Sequence, residues 1–306
     1  MDKKIIAIVN PAAGSGKTAR IWPEKSAYLK KEFNKFEDIY TEKPGDAVKI
    51  ARSAVTENYD CIIAVGGDGT VNEIVNGMLS ASRRKRRTKL IVYPLGTGSD
   101  LSRTLNLQTD TVKFSSLIKR GKSKQIKVLK AEFLNKQLEK DKRYFINIAD
   151  CGMGAEVARN LNQSQKTMAG SLSYLIKIFQ TLFKYQNKEM RVEADNKLIY
   201  QGKLNSAIIA NGNYFGGGIK IAPEADLLQN KINLVLLKNF SKPGIIFNLL
   251  RGYYGRHLSH PLVESHLVKK VKITTAEKVE LELDGESTGY IDAEFMISQS
   301  KIPIIF

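Results

Sequence analysis

The chain has little of what builds covalent frameworks or metal cages: among its 306 residues are two cysteines, three histidines and one tryptophan. Cys61 stands directly before an apolar strand pattern, Cys151 falls in a glycine-rich turn, and the histidines are His257, His260 and His266. This excludes a disulfide framework and a zinc site, and a reducing cytoplasm is the expected compartment. No apolar run approaches the roughly 20 residues that a spanning helix needs. The opening MDKKIIAIVNPAAG has only a five-residue apolar stretch before Asn10 and Pro11, so it reads as a first strand and not as a secretion signal. Long-period repeats and low-complexity linkers are absent as well.

What the chain does have is a hydrophobic fraction of 42%, enough to bury the cores of two ordinary domains, and a formal net charge of +17. Such a field concentrates anionic partners, which include nucleotides, nucleic acid and acidic lipid headgroups. Part of the charge lies in Arg83-Arg84-Lys85-Arg86-Arg87, with Lys89 just beyond. That run contains no aromatic, unlike the basic-aromatic interleaving of single-strand binders, so a nucleic-acid partner is not expected. It is either a solvated loop or a contact with a membrane or polyanion.

Up to about residue 125, short β-branched runs alternate with helical spacing, the pattern of a parallel sheet covered by helices. Strands are expected at Lys4 to Val9, Asp38 to Tyr40, Cys61 to Val65 and Leu90 to Pro94, with helices at Ala19 to Lys35, Gly45 to Val55 and Val71 to Leu79. From 126 to 306 the pattern turns to extended runs: Ile126 to Phe133, Arg143 to Ala149, Met190 to Ala194, Leu198 to Gln201, Asn205 to Ala210, Lys231 to Leu237, Val268 to Thr274 and Val279 to Leu283. These predict an antiparallel β-sandwich interrupted by helices at Ser171 to Phe183 and Lys242 to Tyr254. In the first helix Leu172, Leu175, Ile176, Phe179, Leu182 and Phe183 form one apolar stripe. The expected domains are therefore 1–125 and 126–306, with the last residues able to return to the first.

The densest chemistry lies in Val65-Gly66-Gly67-Asp68-Gly69-Thr70-Val71-Asn72-Glu73, between a strand and a helix. Three glycines within four residues let the backbone approach a ligand and aim N–H groups at phosphate oxygens, and the helix start adds its dipole. A tight turn would explain those glycines but not the Asp-Gly-Thr core. Asp68 would repel phosphate unless a Mg²⁺ or a transferable proton stood between them, which marks phosphoryl transfer. Two further loops follow strands of the same sheet. Asn10-Pro11-Ala12-Ala13-Gly14-Ser15-Gly16-Lys17-Thr18 imitates a Walker A loop, but Pro11 occupies the place of its first glycine. In Pro94-Leu95-Gly96-Thr97-Gly98-Ser99-Asp100, backbone and hydroxyl donors precede an acid that could cap a helix or reach the site.

These three loops resemble the diacylglycerol kinase catalytic family, which includes bacterial soluble lipid kinases and sphingosine kinases. The resemblance continues through Gly152-Met153-Gly154, Asn211-Gly212-Asn213-Tyr214 with Gly216-Gly217-Gly218, Pro223 with Ala225, and Asp284-Gly285-Glu286. The Gly-Gly-Asp-Gly-Thr core is shared with NAD kinases; Asn72-Glu73 and Asp284-Gly285-Glu286 favour the lipid kinase branch. The resemblance implies a Rossmann-like α/β domain followed by an antiparallel β-sandwich, with ATP in the cleft between them. It implies that Asn10, Thr41, Gly66, Gly67, Asp68, Gly69, Thr70, Glu73, Thr97 and Ser99 line the nucleotide site. It also implies that the general base comes from Asp284 or Glu286, since a lipid hydroxyl attacks well only once a carboxylate accepts its proton.

Two departures bear on metals. Ser99-Asp100 stands where many members have Asn-Asp, which keeps the carboxylate. Gln229-Asn230 stands where members have Asp-Gly, so the structural Mg²⁺ site of bacterial relatives is not carried over, although Asp226 could compensate. Mg²⁺ brought by ATP is expected at Asp68 and Asp100. The expectation is thus an ATP- and Mg²⁺-dependent kinase of a lipid hydroxyl, diacylglycerol or a relative, acting peripherally at a membrane, with a homodimer as a candidate assembly. Candidate membrane contacts are the basic run at 83–89 and Arg251-Gly252-Tyr253-Tyr254-Gly255-Arg256. The alternatives are an NAD kinase-like enzyme with a soluble substrate and a non-catalytic binder of anionic membranes or polyanions. Against the latter, a binder has no need to keep four carboxylates, at 68, 100, 284 and 286.

Overall fold

The computed structural model describes residues 3–81, 87–107, 109–164 and 180–306, side chains of 162–164 excepted. Arg83 to Arg86 of the basic run, and the apolar stripe from Leu172 to Phe179, lie outside these residues. The chain divides into two units, Met1–Val128 with Gln299–Phe306, and Leu129–Ser298.

The first unit runs β1 (Lys4–Val9), α1 (Lys17–Glu32), β2 (Lys35–Tyr40), α2 (Asp46–Thr56), β3 (Cys61–Gly66), α3 (Asp68–Ser80), β4 (Lys89–Pro94), α4 (Asp100–Thr104) and α5 (Thr111–Arg120). Its strands are parallel in the order β4-β3-β1-β2, and Ile304 pairs with Leu90 beside β4. Near-continuous apolar runs such as Ile5 to Val9 and Cys61 to Val65 are buried, as strands covered on both faces require. Chain order reverses between β1 and β3, which is the switch point where open α/β sheets bind ligands at the carboxyl ends of their strands.

Helix α1 buries Thr18, Trp22, Ser26 and Leu29, one stripe of helical period. Trp22 and Ser26 donate to the Asp38 carboxylate at 3.0 and 2.6 Å, tying α1 to β2. The helix ends at Glu32, short of the expected Lys35, because Phe33 is extended and Lys35 already pairs with Lys4. Helix α4 begins at Asp100, one of the roles expected for that acid, whereas α5 was not anticipated. The second carries plain signals, Asp110 accepting the Lys113 N–H at one end and Gly121 at φ 61° at the other.

The second unit runs β5 (Lys124–Asn135, begun in the first unit), β6 (Lys140–Phe145), β7 (Ile148–Gly152), α6 (Met153–Ser164), β8 (Lys188–Ala194), β9 (Lys197–Ala210), β10 (Ile232–Lys238), α7 (Lys242–Tyr253), β11 (Val263–Val268), β12 (Lys270–Thr274), β13 (Glu280–Leu283) and β14 (Glu286–Ile304). Residues 180–184 are also helical. All pairing within this unit is antiparallel, and β9-β7-β13-β14-β12-β8 closes back on β9. The long strands β9 and β14 are thus shared between the two faces of a sandwich, the usual way to turn its corners. Leu129, Phe145, Val192, Ile209, Leu234, Val271, Leu281 and Phe295 fill the core between them.

Several expected boundaries move for reasons visible only in three dimensions. Arg143 to Ala149 is two strands, because the N–H groups of Ile146, Asn147 and Ile148 turn to the Asp284 carboxylate. Val268 to Thr274 breaks where Lys269 and Lys270 donate to Asp195. Leu198 to Gln201 and Asn205 to Ala210 are one strand through Gly202. Cys151 lies in β7 and not in a turn; Gly152 ends that strand and Gly154 lies in the first turn of α6. Of the expected 171–183 stripe, Leu182 is buried and Phe183 exposed.

Candidate active site

Three loops meet at the carboxyl ends of β1, β3 and β4. Leu95 and Gly96 both donate their N–H to Gly66 O, at 3.2 and 3.0 Å. A Cβ on Gly96 would lie 2.3 Å from Gly67 Cα, and one on Gly14 would lie 2.4 Å from Leu95 O. The glycines are therefore demanded by backbone against backbone. Asn10 joins the assembly through its side chain, Nδ2 donating to Thr70 Oγ1 at 3.1 Å and Oδ1 accepting the Ala12 N–H.

Helices α1 and α3 begin here on Gly16 and Gly67, and neither receives a side-chain cap. Their first N–H groups and dipole ends thus face the loop mouth, an arrangement suited to phosphate oxygens. Gly69 and Thr70 lie in the first turn of α3, which starts at Asp68, three residues before the expected Val71. Thr41 follows β2 and donates its N–H to Val9 O, which sets it beside β1. Thr97 is exposed, and Ser99 stands at φ 50° with its hydroxyl donating to Gly96 O. Glu73 faces elsewhere: its carboxylate accepts the N–H of Gly45, at the start of α2.

Asp68 is half-buried, and its two oxygens accept the N–H groups of Asp100 and Leu101 at 3.0 and 3.2 Å, capping α4. Burial pushes its carboxyl up despite these bonds. Asp100, which is buried, is paired with Arg103 at 3.6 Å. A Cβ on Gly98 would lie 3.2 Å from one Asp68 oxygen and 3.5 Å from one of Asp100, so both carboxylates border the same glycine. Each oxygen has a second lone pair, and two hard carboxylates fit a Mg²⁺ that keeps its water and phosphate ligands. Among the described residues no three His, Cys, Asp or Glu side chains form a cation cage. Asp226 accepts the Leu228 N–H in a turn.

In the second unit, Asp284 and Gly285 form the two-residue turn between β13 and β14, both at positive φ, 51° and 87°. The buried Asp284 carboxylate accepts the N–H groups of Ile146, Asn147 and Ile148 at 2.8–3.1 Å. Glu286 is the exposed member of the pair. The Gly285 N–H is held by Glu282 at 2.6 Å, and Glu282 stands opposite Asp150 across the β13–β7 ladder. Burial pushes Asp150 up to about 7, and burial together with the Asp150 charge holds Glu282 well above its ordinary range. The sequence reading missed these two acids. In Glu280-Leu281-Glu282-Leu283 the alternation suggests a solvent face, but α6 packs against β13 and covers it.

A parallel α/β unit with capless helix starts at its switch point, followed in the chain by an antiparallel sandwich, is suited to hold the phosphates of a nucleotide. Residues 4–131 match the diacylglycerol kinase catalytic domain, and residues 147–306 match the YegS C-terminal NAD kinase beta sandwich-like domain. Diacylglycerol kinase of Staphylococcus carnosus is 31% identical over 306 residues, covering 99% of this chain and 95% of its own. The Staphylococcus aureus enzyme, strain bovine RF122 / ET3-1, is also 31% identical, at 99% and 92%. The chain belongs to the diacylglycerol kinase family. Its fold is that of a Bacillus anthracis diacylglycerol kinase, with a TM-score of 0.76 at 23% identity, covering 99% of this chain and 97% of that one. It is also similar to yeast NADH kinase, with a TM-score of 0.59 at 11% identity, covering 100% and 84%.

Proposed function

We propose that the chain transfers the γ-phosphoryl group of ATP to the hydroxyl of a diacylglycerol or closely related lipid at a membrane surface, on its cytoplasmic side. The observation that carries this reading is the meeting of the Gly14, Gly66–Gly67 and Gly96 loops, with the capless starts of α1 and α3, beside Asp68 and Asp100. In this reading Gly66, Gly67, Gly69 and Thr70 present donors to the phosphates, Asn10 holds Thr70 in place, and Thr41, Thr97 and Ser99 border the nucleotide. Glu73 supports the site by fixing the start of α2. A Mg²⁺ arriving with ATP, held by Asp68 and Asp100, would neutralise charge building on the phosphates. Asp226 is left without a metal role. The proton acceptor belongs to the Asp284–Glu286 pair; Asp284 is buried and engaged by three amides, and Glu286 is the solvent-exposed member.

The test is ATP turnover by the purified chain with Mg²⁺ against diacylglycerol, sphingosine, phosphatidylglycerol and NAD, following labelled product. Label in diacylglycerol is expected; label only in NADP would move the chain to the soluble-substrate branch. Glu286→Gln is expected to cut turnover at least about 10²-fold, the scale of a general base, with the folded state unaltered. Asp284→Asn should instead lower stability first, because it disturbs the turn that separates β6 from β7.

A further inference from the structure

Helix α7 departs from α1 and α2 in what its outer side presents. Helix α1 exposes Lys17, Arg20, Glu24, Lys30 and Lys31, and α2 exposes Lys49, Arg52, Ser53 and Thr56, as a helix with one wet face should. Helix α7 buries Ile245, Asn248 and Gly252 on its inner side, with Gly252 close enough to Ile219 that an added Cβ would lie 3.0 Å away. Its outer side is also apolar: Phe247 and Leu250 are each 61% exposed, and Tyr253 and Tyr254 are 48% and 79% exposed. These positions recur at three and four residues, so they form one continuous stripe. Single exposed apolar residues are ordinary on a protein surface; four on one helical turn sequence are not.

The stripe is set in positive charge. No aspartate or glutamate occurs between Asp226 and Glu264, whereas Lys242 opens the helix and Arg251 and Arg256 close it. The Arg251 guanidinium lies 5.9 Å from the Phe247 ring. An aromatic and leucine stripe flanked by cations, with the helix in the plane of the surface, is the construction of an interfacial membrane helix. A second copy of this chain fits it poorly, because a two-fold contact would bring these cations against themselves with no acid between them.

We infer that the outer face of α7 docks the chain on anionic bilayers, with Phe247, Leu250, Tyr253 and Tyr254 entering the interface and Lys242, Arg251 and Arg256 meeting lipid phosphates. The inference rests on the lipid-kinase reading only in saying why the chain would go to a membrane. Its test is co-sedimentation of the whole chain with phosphatidylcholine vesicles with and without phosphatidylglycerol, comparing wild type with the double variant Phe247→Glu plus Leu250→Glu. Both side chains are largely exposed, so the variant is expected to keep the wild-type thermal midpoint. Wild type should pellet with the anionic vesicles and be released by salt. The double variant should bind them at least about tenfold more weakly, while phosphorylating a monomeric short-chain diacylglycerol at the wild-type rate. Equal vesicle binding by the two proteins, or none by wild type, would overturn the docking face. So would a solution dimer that the variant turns to monomer while vesicle binding persists. Absence of any lipid phosphorylation by wild type would instead sink the kinase reading and leave the vesicle comparison still able to decide about α7.

Discussion

Replacement of Asp68 separates two roles that the sequence alone runs together. From sequence the residue is a Mg²⁺ organiser at the phosphates, and its loss should silence the enzyme with the fold intact. The structure adds that its carboxylate is the cap of α4, accepting two backbone N–H groups at 3.0 and 3.2 Å in a half-buried setting. Hydrogen bonds to a charged group are worth about 1.5–3 kcal/mol each. Against this stands the burial that pushes the Asp68 carboxyl up, so charge as such adds nothing and part of the gain is cancelled. Asp68→Ala is therefore expected to cost about 2–3 kcal/mol, roughly 6–12 °C in the thermal midpoint of a unit this size. Asp68→Asn keeps one acceptor oxygen and should cost about half as much, while turnover falls at least about 10²-fold in both variants. Differential scanning calorimetry and steady-state turnover on the same samples read the two effects apart. A wild-type midpoint for Asp68→Ala would refute the capping role. Wild-type turnover for Asp68→Asn would refute the catalytic one.

Gly96→Ala would place a Cβ 2.3 Å from Gly67 Cα and 2.8 Å from Gly67 N, where neither backbone can give way, so it should cost about 1–3 kcal/mol. Nucleotide binding, read by fluorescence of a labelled ATP analogue, should weaken along with it; unchanged binding and stability would mean that the two loops do not touch. Asp150 rises from an ordinary value of 3.8 to about 7, so its folded form holds a proton that the unfolded chain gives up. That contribution is fully present below about pH 4 and is lost as pH rises through about 7; about three units at roughly 1.4 kcal/mol each make about 4 kcal/mol. Asp150→Asn has no such proton to lose, so urea unfolding should show it more stable than wild type by up to about 4 kcal/mol at pH 8 and nearly equal at pH 4. The same difference at both pH values would rule this linkage out.

The fold and the meeting of the glycine loops at the strand ends were largely legible because their signals are local. Apolar runs such as Ile5 to Val9 and Cys61 to Val65 need no distant partner to read as buried parallel strands, and Gly14 and Gly96 stand where a Cβ would run into backbone. The boundaries that failed were those set by distant carboxylates: Asp284 divides β6 from β7, and Asp195 divides β11 from β12, each across more than 70 residues. Glu73 shows the same limit at the site, since its place in the motif suggested the nucleotide while its carboxylate goes to Gly45.

By itself, then, the sequence determined the two-part architecture, the placing of the glycine loops at strand ends, and the family. Tertiary structure decided where each acid goes: Asp68 caps a helix beside the glycine loops, Asp284 gathers three amides while Glu286 is exposed, and Asp150 and Glu282 stand opposite each other in the interior. It also decided that the second stripe of α7 has no core to enter. Chain conformation follows from neighbours in sequence, but burial and hydrogen-bond partners are supplied by segments that meet only when the chain has folded.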